Sequence, residues 1–182
     1  DYVHRPPPDA DVQSLIEGRH PAQQRLAFEE LLAQQLSLLE LRNELRTEHS
    51  PAFALSTQLV PKYLERLPFT LTNAQTNAFK TIASDLNKTV AMLRLIQGDV
   101  GSGKTVVAAL ATLQTIEAGY QVAIMAPTEL LAEQHYNNFL TWLEPLSIDV
   151  VFLTGKLKKS IRTNVETRLQ DTTPVVAIGT HA

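Results

Sequence analysis

A short glycine-rich stretch, GDVGSGKT at residues 98–105, constrains the fold of this chain more than any other feature. It follows an apolar run, TVAMLRLI at 89–96, that can form a buried strand, and it precedes a helical pattern at 105–118. Glycines let the backbone approach an anion closely, and the dipole and free N–H groups at a helix start favour negative charge. The strand, bend and helix together predict a phosphate-binding loop.

The letters of this loop fit the pattern G-x-x-x-x-G-K-[ST], which holds the phosphates of a nucleotide. In that pattern the lysine reaches the β- and γ-phosphates and the hydroxyl binds Mg²⁺. We therefore predict that Lys104 and Thr105 are catalytic residues and that Thr105 is a metal ligand. The loop residues predicted to bind the nucleotide are Gly98, Asp99, Val100, Gly101, Ser102, Gly103, Lys104 and Thr105.

Composition narrows the class of protein further. The chain has 182 residues, of which 44% are hydrophobic, enough for one sizeable core and an appendage. Its net charge of −3 gives no overall attraction to a polyanion, and the absence of cysteine excludes disulfides, thiolate metal sites and cysteine nucleophiles. No apolar run approaches the roughly 20 residues of a membrane span, so we expect a cytoplasmic protein without membrane contact. Because the chain starts at Asp1 without methionine, we expect it to be cut from something longer.

From residue 69 onward, apolar segments alternate with helical patterns. A helix is predicted at about 73–87, and strands are predicted at about 91–96, 121–126, 148–153 and 174–178. The helices between these strands are predicted at about 103–118, 129–143 and 158–170. This order predicts an α/β fold with a parallel sheet. The loops GDVGSGKT, APTELL, LTGKLKK and GTHA should then leave the sheet at the edge where ligands bind.

Residues 1–68 differ in texture, and we predict that they form a helical linker before the α/β domain at 69–182. Residues 1–21 contain a triple proline that favours an extended path. Residues 22–46 lack glycine and proline and carry a wide apolar stripe, which predicts a long helix packed on something, with a coiled coil as the alternative. The connector that follows is interrupted by Pro51, Pro61 and Pro68.

The segment LTNAQ, at residues 71–75, allows two interpretations. Thr72 and Gln75 have the T-x-x-Q spacing of a capping box, in which each side chain satisfies an N–H group at a helix start. The Gln75 amide, with one acceptor and two donors, could instead recognise the edge of adenine. Spacing favours the cap, and the two roles do not exclude each other.

Two later segments are less specific. PTELLAEQH, at 127–135, reads as an ordinary helix start, in which His135 is a surface or packing residue. The stretch 155–168 carries an excess of basic residues, which is either a solvated face or a contact for a nucleic-acid backbone. Its charged residues are Lys156, Lys158, Lys159, Arg162, Glu166 and Arg168.

In this order, LTNAQ, GDVGSGKT, APTELLAEQH, LTGKLKK and GTHA resemble the first half of a superfamily 2 helicase motor. With HRPPPD and GRHPAQQRLAFEELLAQQLSLL ahead of them, they resemble more narrowly the RecG-type ATP-dependent DNA helicases, which remodel stalled forks and Holliday junctions in recombination and repair. Transcription-repair coupling translocases share the central motifs but not this prelude, and they are the alternative. The resemblance implies the N-terminal portion of a RecA-like ATP-binding domain, ATP and Mg²⁺ as cofactors, and a monomer that binds branched or duplex DNA.

The resemblance also implies roles for individual residues. It assigns adenine contact to Gln75 and matches Phe69 to the aromatic position of the same element. The residues that match or adjoin motifs lining the DNA track are Thr128, Glu129, Thr154, Gly155, Lys156, Lys158, Thr180 and His181. Such hydroxyls and amides hold phosphates of one strand without reading sequence.

A motor of this class needs a further acid, at the end of a later strand, to hold Mg²⁺ and set the attacking water. No acid after Thr105 follows an apolar strand, and Asp149 stands at the wrong end of its strand. The resemblance implies a D-E-x-H motif and a second motor domain, both expected after Ala182. We expect the chain as given to bind nucleotide without catalysing its hydrolysis, and the strand ending at Gly179 to border an unfilled place in the sheet. A P-loop kinase and an interaction module that binds through the long helix are the rival interpretations.

Overall fold

The computed structural model describes residues 3–45 and 48–181, and the backbone divides into two compact units, Asp1–His49 and Ser50–Ala182. The first unit contains helices α1 (Val12–Ile16) and α2 (Pro21–Leu45). Helix α1 was not predicted, and it follows from Asp11, whose side chain accepts a hydrogen bond from the Ser14 N–H as an N-cap.

Helix α2 confirms the long helix predicted at 22–46, of which residue 46 lies outside the described residues. Its first residue is Pro21, and proline is tolerated there because the N–H it lacks has no partner in the first turn. Its large apolar side chains remain about half exposed, from 44% at Leu32 to 63% at Phe28. The predicted packing of the stripe is therefore not seen among the described residues.

In the second unit, residues 50–181 form five further α-helices and three strands in the order expected for an α/β fold. The helices are α3 (Leu59–Arg66), α4 (Asn73–Leu86), α5 (Lys104–Glu117), α6 (Glu129–Leu143) and α7 (Lys159–Gln170), with a 3₁₀ turn (Glu144–Leu146) after α6. The strands are β1 (Val122–Met125), β2 (Val150–Leu153) and β3 (Val176–Gly179). All these helices except α3 were predicted, and their observed ends differ from the predicted ends by at most one residue.

The three strands form one parallel sheet in the order β1-β3-β2. Because Met125 and Leu153 both pair in register with Gly179, the strands end at a common edge. The loops APTELL, LTGKLKK and GTHA leave the sheet there, as predicted. The expectation that β3 borders an unfilled place was wrong, since β3 is central and is paired on both sides.

The strand predicted at 91–96 does not form. Residues 91–97 belong to neither a helix nor a strand, and they pair with none of the three strands described above. Leu93 and Leu95 are 81% and 82% exposed, and the Arg94 side chain is tied to Asp85 on α4 by a hydrogen bond of 2.8 Å. The apolar pattern is that of a buried strand, but a strand needs a partner for its backbone groups, and the described strands supply none.

Helix α5 is the centre of the core, because most of its side chains are buried. Its core residues Leu110 and Leu113 are fully buried and belong to one cluster with Phe139 of α6 and Val176 of β3. Tyr63 of α3 joins the same cluster.

Helix α3 thus packs with the α/β domain, although the predicted domain boundary lay between residues 68 and 69. The proline in α3, Pro61, falls in the first turn of the helix, where it removes no intrahelical bond. A helix therefore forms in a segment for which the prolines had indicated an irregular connector. The boundary at 68 and 69 stays a prediction about domains, while the compact units divide after residue 49.

Candidate nucleotide-binding site and adjoining loops

The phosphate-binding loop has the backbone that its glycines predict. Gly101 and Gly103 have φ of +83° and +81°, in the left-handed region that side chains disfavour. Gly103 is the N-cap of α5 and gives no side-chain cap, so no side chain competes for the N–H groups at the helix start. An anion at this position meets backbone donors and the positive end of a helix of 14 residues.

The Lys104 side chain folds into the loop itself. Its Nζ donates hydrogen bonds to the carbonyl oxygens of Gly98, at 2.7 Å, and Asp99, at 2.8 Å. Thr105 is partly buried in the first turn of α5, next to Lys104 in the chain. At the tip of the loop, Val100 is fully exposed. The Lys104 ammonium is therefore bonded to carbonyl oxygens of its own loop. Phosphate oxygens can replace these carbonyls as its hydrogen-bond acceptors.

The Gln75 side chain joins the start of α4 to the phosphate-binding loop. Its Oε1 accepts from the Thr72 N–H at 2.9 Å, while the Gln75 N–H donates to Thr72 Oγ1 at 3.2 Å, which confirms the predicted capping box. Its Nε2 donates to the Ser102 carbonyl at 2.9 Å, a contact across 27 positions that no local pattern predicts. One N–H of Nε2 and one lone pair of Oε1 remain, a donor and an acceptor that suit N7 and N6 of adenine.

Phe69 lies ahead of α4 in the same segment as this capping box. The residue is 48% exposed, so part of its ring is available to a flat partner such as a base. Its stacking role stays a prediction.

The loops after β1 and β2 are joined by an ion pair. Lys156 Nζ, in LTGKLKK, donates to a Glu129 carboxylate oxygen in the first turn of α6, and this hydrogen bond raises the pKa of Lys156. Thr128 is the N-cap of α6, because its Oγ1 accepts from the Leu131 N–H at 3.3 Å. The two predicted DNA-binding loops are thus in contact, although part of the Lys156 charge is already matched.

The other predicted DNA-binding residues differ in how far they are exposed to solvent. Thr154 is 5% exposed, so its hydroxyl is not offered at the surface. Gly155 and His181 are exposed, and Lys158 is the exposed residue that caps α7. Thr180 follows β3, and its buried Oγ1 has no hydrogen-bond partner in the part of the chain that the structure describes.

The basic stretch at 155–168 offers fewer unpaired charges for contact with DNA than its composition suggests. Arg162 is bonded to Glu166 at 2.9 Å on the exposed surface of α7, and Arg168 pairs with Asp149. With Lys156 also paired, Lys158 and Lys159 are the members without an ion pair within residues 3–45 and 48–181.

Metal binding by side chains alone is not indicated. Among the residues that the structure covers, no group of three or more His, Asp or Glu side chains could hold an ion. The loop pattern predicts that Thr105 binds a cation together with nucleotide phosphates. His135 Nδ1 is buried on α6 without a partner among the described residues.

Comparison with known proteins defines the class. Residues 72–182 match the model for "DEAD/DEAH box helicase", and the chain belongs to this family. The parallel sheet, the family match and the similarity to a solved RecG structure described below confirm the predicted RecA-like α/β fold class.

Individual relatives are similar to the chain over nearly its whole length. The chain is 49% identical, over all of its length, to "ATP-dependent DNA helicase RecG" from Pasteurella multocida (strain Pm70), and it covers 26% of that protein. It is 50% identical, over 99% of its length, to the protein of the same name from Haemophilus influenzae, again covering 26%. A solved structure titled "Structure of RecG bound to three-way DNA junction" matches 87% of the chain with 40% identity and a TM-score of 0.81, and the chain covers 22% of it.

The chain therefore spans about a quarter of the length of these relatives. Within the described residues, no helix has the length and apolar content to cross a membrane.

Proposed function

We propose that this chain is part of an ATP-dependent DNA helicase of the RecG type, which translocates on and remodels branched DNA in recombination and repair. The observation that carries the proposal is the Gln75 amide, which lies between the α4 capping box and the phosphate-binding loop with one donor and one acceptor still free. The identity to RecG proteins extends through the helical prelude, which favours this type over the transcription-repair coupling translocases.

In the proposed complex, ATP binds with its phosphates at the start of α5 and its adenine beside Gln75. The Lys104 ammonium would exchange the carbonyls of Gly98 and Asp99 for phosphate oxygens, and the Thr105 hydroxyl would help to hold Mg²⁺. The bound cation would neutralise charge on the β- and γ-phosphates during phosphoryl transfer. Because no acid after Thr105 follows an apolar strand, we propose that the water-positioning acid belongs to another part of the full-length protein.

DNA is proposed to run along the loops at the carboxyl ends of β1, β2 and β3. The proposed contacts there are Thr128, Gly155, Lys156, Lys158 and His181, which hold phosphates rather than read bases. Glu129 contributes only through the N–H groups at the start of α6, since its carboxylate repels phosphate. Thr154 is buried and so is the Thr180 hydroxyl, so we propose that both side chains support this edge and do not touch the strand. Branched DNA is the proposed substrate because a matching solved structure is described as RecG bound to a three-way junction. We propose a monomeric protein located with the DNA in the cytoplasm.

The test uses the full-length protein and measures ATP hydrolysis with and without a three-way DNA junction. We expect the junction to stimulate hydrolysis, and Lys104→Ala to abolish the stimulated rate because charge-assisted phosphate contacts are worth about 1.5–3 kcal/mol each. Lys88→Ala is the matched control, since that lysine pairs with Asp85 on α4. Full stimulated turnover by Lys104→Ala, or no response of the parent protein to the junction, would contradict the proposal.

A further inference from the structure

Gln114 is a buried polar residue on the core face of α5. It is 0% exposed, although its neighbours Leu110 and Leu113 on the same helix are apolar and equally buried. Burying an amide costs free energy unless its polar atoms are hydrogen-bonded, and Gln114 Oε1 has no partner among the described residues. Core packing therefore does not explain why an amide stands at this position.

The Nε2 atom of Gln114 ties two other segments to α5. It donates to the carbonyl oxygen of Ala83 in the last part of α4, at 3.3 Å, and to that of Phe53, at 3.1 Å. The Phe53 N–H in turn donates to the Leu86 carbonyl at the end of α4, at 2.8 Å. One amide thus joins α5, the end of α4 and the segment before α3.

This junction and the Gln75 contact hold the same two helices at two points. Gln75 and Ala83 are eight positions apart on α4, about 12 Å at 1.5 Å per residue, and Lys104 and Gln114 are about 15 Å apart on α5. At the first point, Gln75 Nε2 donates a hydrogen bond to the Ser102 carbonyl of the phosphate-binding loop. At the second point, Gln114 Nε2 donates a hydrogen bond to the Ala83 carbonyl.

An open cavity adjoins the second point. A cavity of about 410 Å³ lies between α4, α5 and the segment before α3, and its lining includes Phe79, Ala83 and Gln114. This open volume leaves room for α4 to move, and the hydrogen bond from Gln114 to Ala83 restrains it there.

We propose that Gln114 is a positioning residue for nucleotide recognition, which holds α4 against α5 so that the Gln75 amide stays beside the phosphate-binding loop. This inference rests on the proposed function, because it assigns to Gln75 the contact with adenine. Without the tie at Gln114, α4 shifts or tilts and the Gln75 amide loses its distance to the base. Phosphate binding by Lys104 and Thr105 is unaffected, since both lie on α5 itself.

The experiment measures KM and kcat for ATP and GTP in the full-length protein with a three-way junction present. Gln114→Met keeps the volume of the side chain and removes both hydrogen bonds. We expect a KM for ATP that is about three- to tenfold higher, with kcat and the KM for GTP changed by less than about twofold. Gln170→Met is the matched control, because that glutamine is exposed at the end of α7.

A double-mutant cycle with Gln75→Ala separates positioning from general stability. If Gln114 acts through Gln75, adding Gln114→Met to Gln75→Ala changes the preference for ATP over GTP no further. An equal loss for both nucleotides, an unchanged preference, or additive effects in the cycle would overturn the inference. If Gln114→Met fails to fold, as circular dichroism would reveal, Gln114→Asn, whose shorter amide withdraws from both carbonyls, takes its place with the same expected result.

The single Gln75→Ala variant separates the two hypotheses. If it lowers the preference for ATP while Gln114→Met does not, the positioning role fails and the proposed function stands. If Gln75→Ala leaves the preference unchanged, the adenine contact itself is disproved, and the positioning role is disproved with it.

Discussion

Gly103 lies so close to the Gln75 side chain that any side chain at position 103 would displace the Gln75 amide. A Cβ atom on Gly103 would overlap Gln75 Nε2, and Gly103 also has a φ of +81°. The glycine of the phosphate-binding loop is therefore required both for its backbone conformation and for the room it leaves to the residue proposed to recognise adenine.

Replacing Gly103 with alanine should weaken nucleotide binding by more than backbone strain alone. We expect Gly103→Ala to push the Gln75 amide off Ser102 and to lower the affinity for ADP–Mg²⁺ by at least about tenfold, measured by calorimetric titration. Gly119→Ala is the control, since Gly119 has a φ of +87° but open space where the methyl group would stand. That variant should lose about 1 kcal/mol of stability and keep its affinity. Equal affinities in the two variants would count against the role of the contact.

Glu117 should stabilise the fold in a pH-dependent manner. Burial alone would raise the pKa of this carboxyl, but hydrogen bonds from Ser56 Oγ and from the N–H groups of Leu59, Thr57 and Gln58 outweigh it and lower the pKa to about 2. Because this value lies below the ordinary 4.5, the stabilisation is complete above about pH 4.5 and is lost as the pH falls toward 2.

The corresponding variant is Glu117→Gln, which keeps one acceptor and loses the charge at the start of α3. We expect it to lower the free energy of unfolding by about 1–2 kcal/mol at pH 7, an amount reduced for partial solvent screening, and by less at pH 3. Urea unfolding followed by the fluorescence of Trp142, the single tryptophan of the chain, measures both. Glu133→Gln, at an exposed position on α6, is the control. A difference that is constant between pH 7 and pH 3 would refute the linkage.

The Tyr63 hydroxyl should be dispensable for stability. It is buried without a hydrogen-bond partner among the described residues, and burial raises the pKa of Tyr63 to about 12. Since an unsatisfied buried hydroxyl costs free energy, we expect Tyr63→Phe to leave the free energy of unfolding unchanged or to raise it by up to about 1 kcal/mol. Tyr63→Leu is the comparison, because it removes the ring that packs edge-on against Trp142 and should destabilise the core. A loss above about 1 kcal/mol in Tyr63→Phe would indicate a partner for the hydroxyl.

The basic loop after β2 should contribute to DNA binding through charge alone. We expect a variant with Lys156, Lys158 and Lys159 all changed to Ala to bind the three-way junction more weakly, with no dependence on its sequence. Each lost phosphate contact should reduce the slope of log affinity against log salt concentration by about 0.9 on duplex DNA.

The same measurement separates the paired lysine from the others. Lys156 already pairs with Glu129, so Lys156→Ala alone should change the slope less than Lys158→Ala does. Arg162→Ala, which breaks a pair with Glu166 on the exposed surface of α7, is the control outside the loop. An unchanged slope in the triple variant would make the stretch a solvated surface.

The local patterns of the sequence determined a large part of the fold and of the site. The capping box at Thr72 and Gln75, the glycine-rich bend that opens α5 and the extent of α2 were all predicted correctly. Each of them depends on residues within a few positions of one another, through cap hydrogen bonds, glycine backbone freedom or helical periodicity. Such interactions join residues that are close together in the sequence, so they can be predicted without the tertiary structure.

The tertiary structure alone decided which segments became partners. Residues 91–96 have the apolar pattern of a strand and form none, while β3 acquired two neighbours where one was expected. Gln75 contacts Ser102 across 27 positions, and Gln114 contacts Phe53 across 61 positions. No local sequence pattern predicts either contact. A strand or a long-range hydrogen bond exists only when the rest of the chain brings a second backbone group to it, and that depends on how the helices and strands pack together.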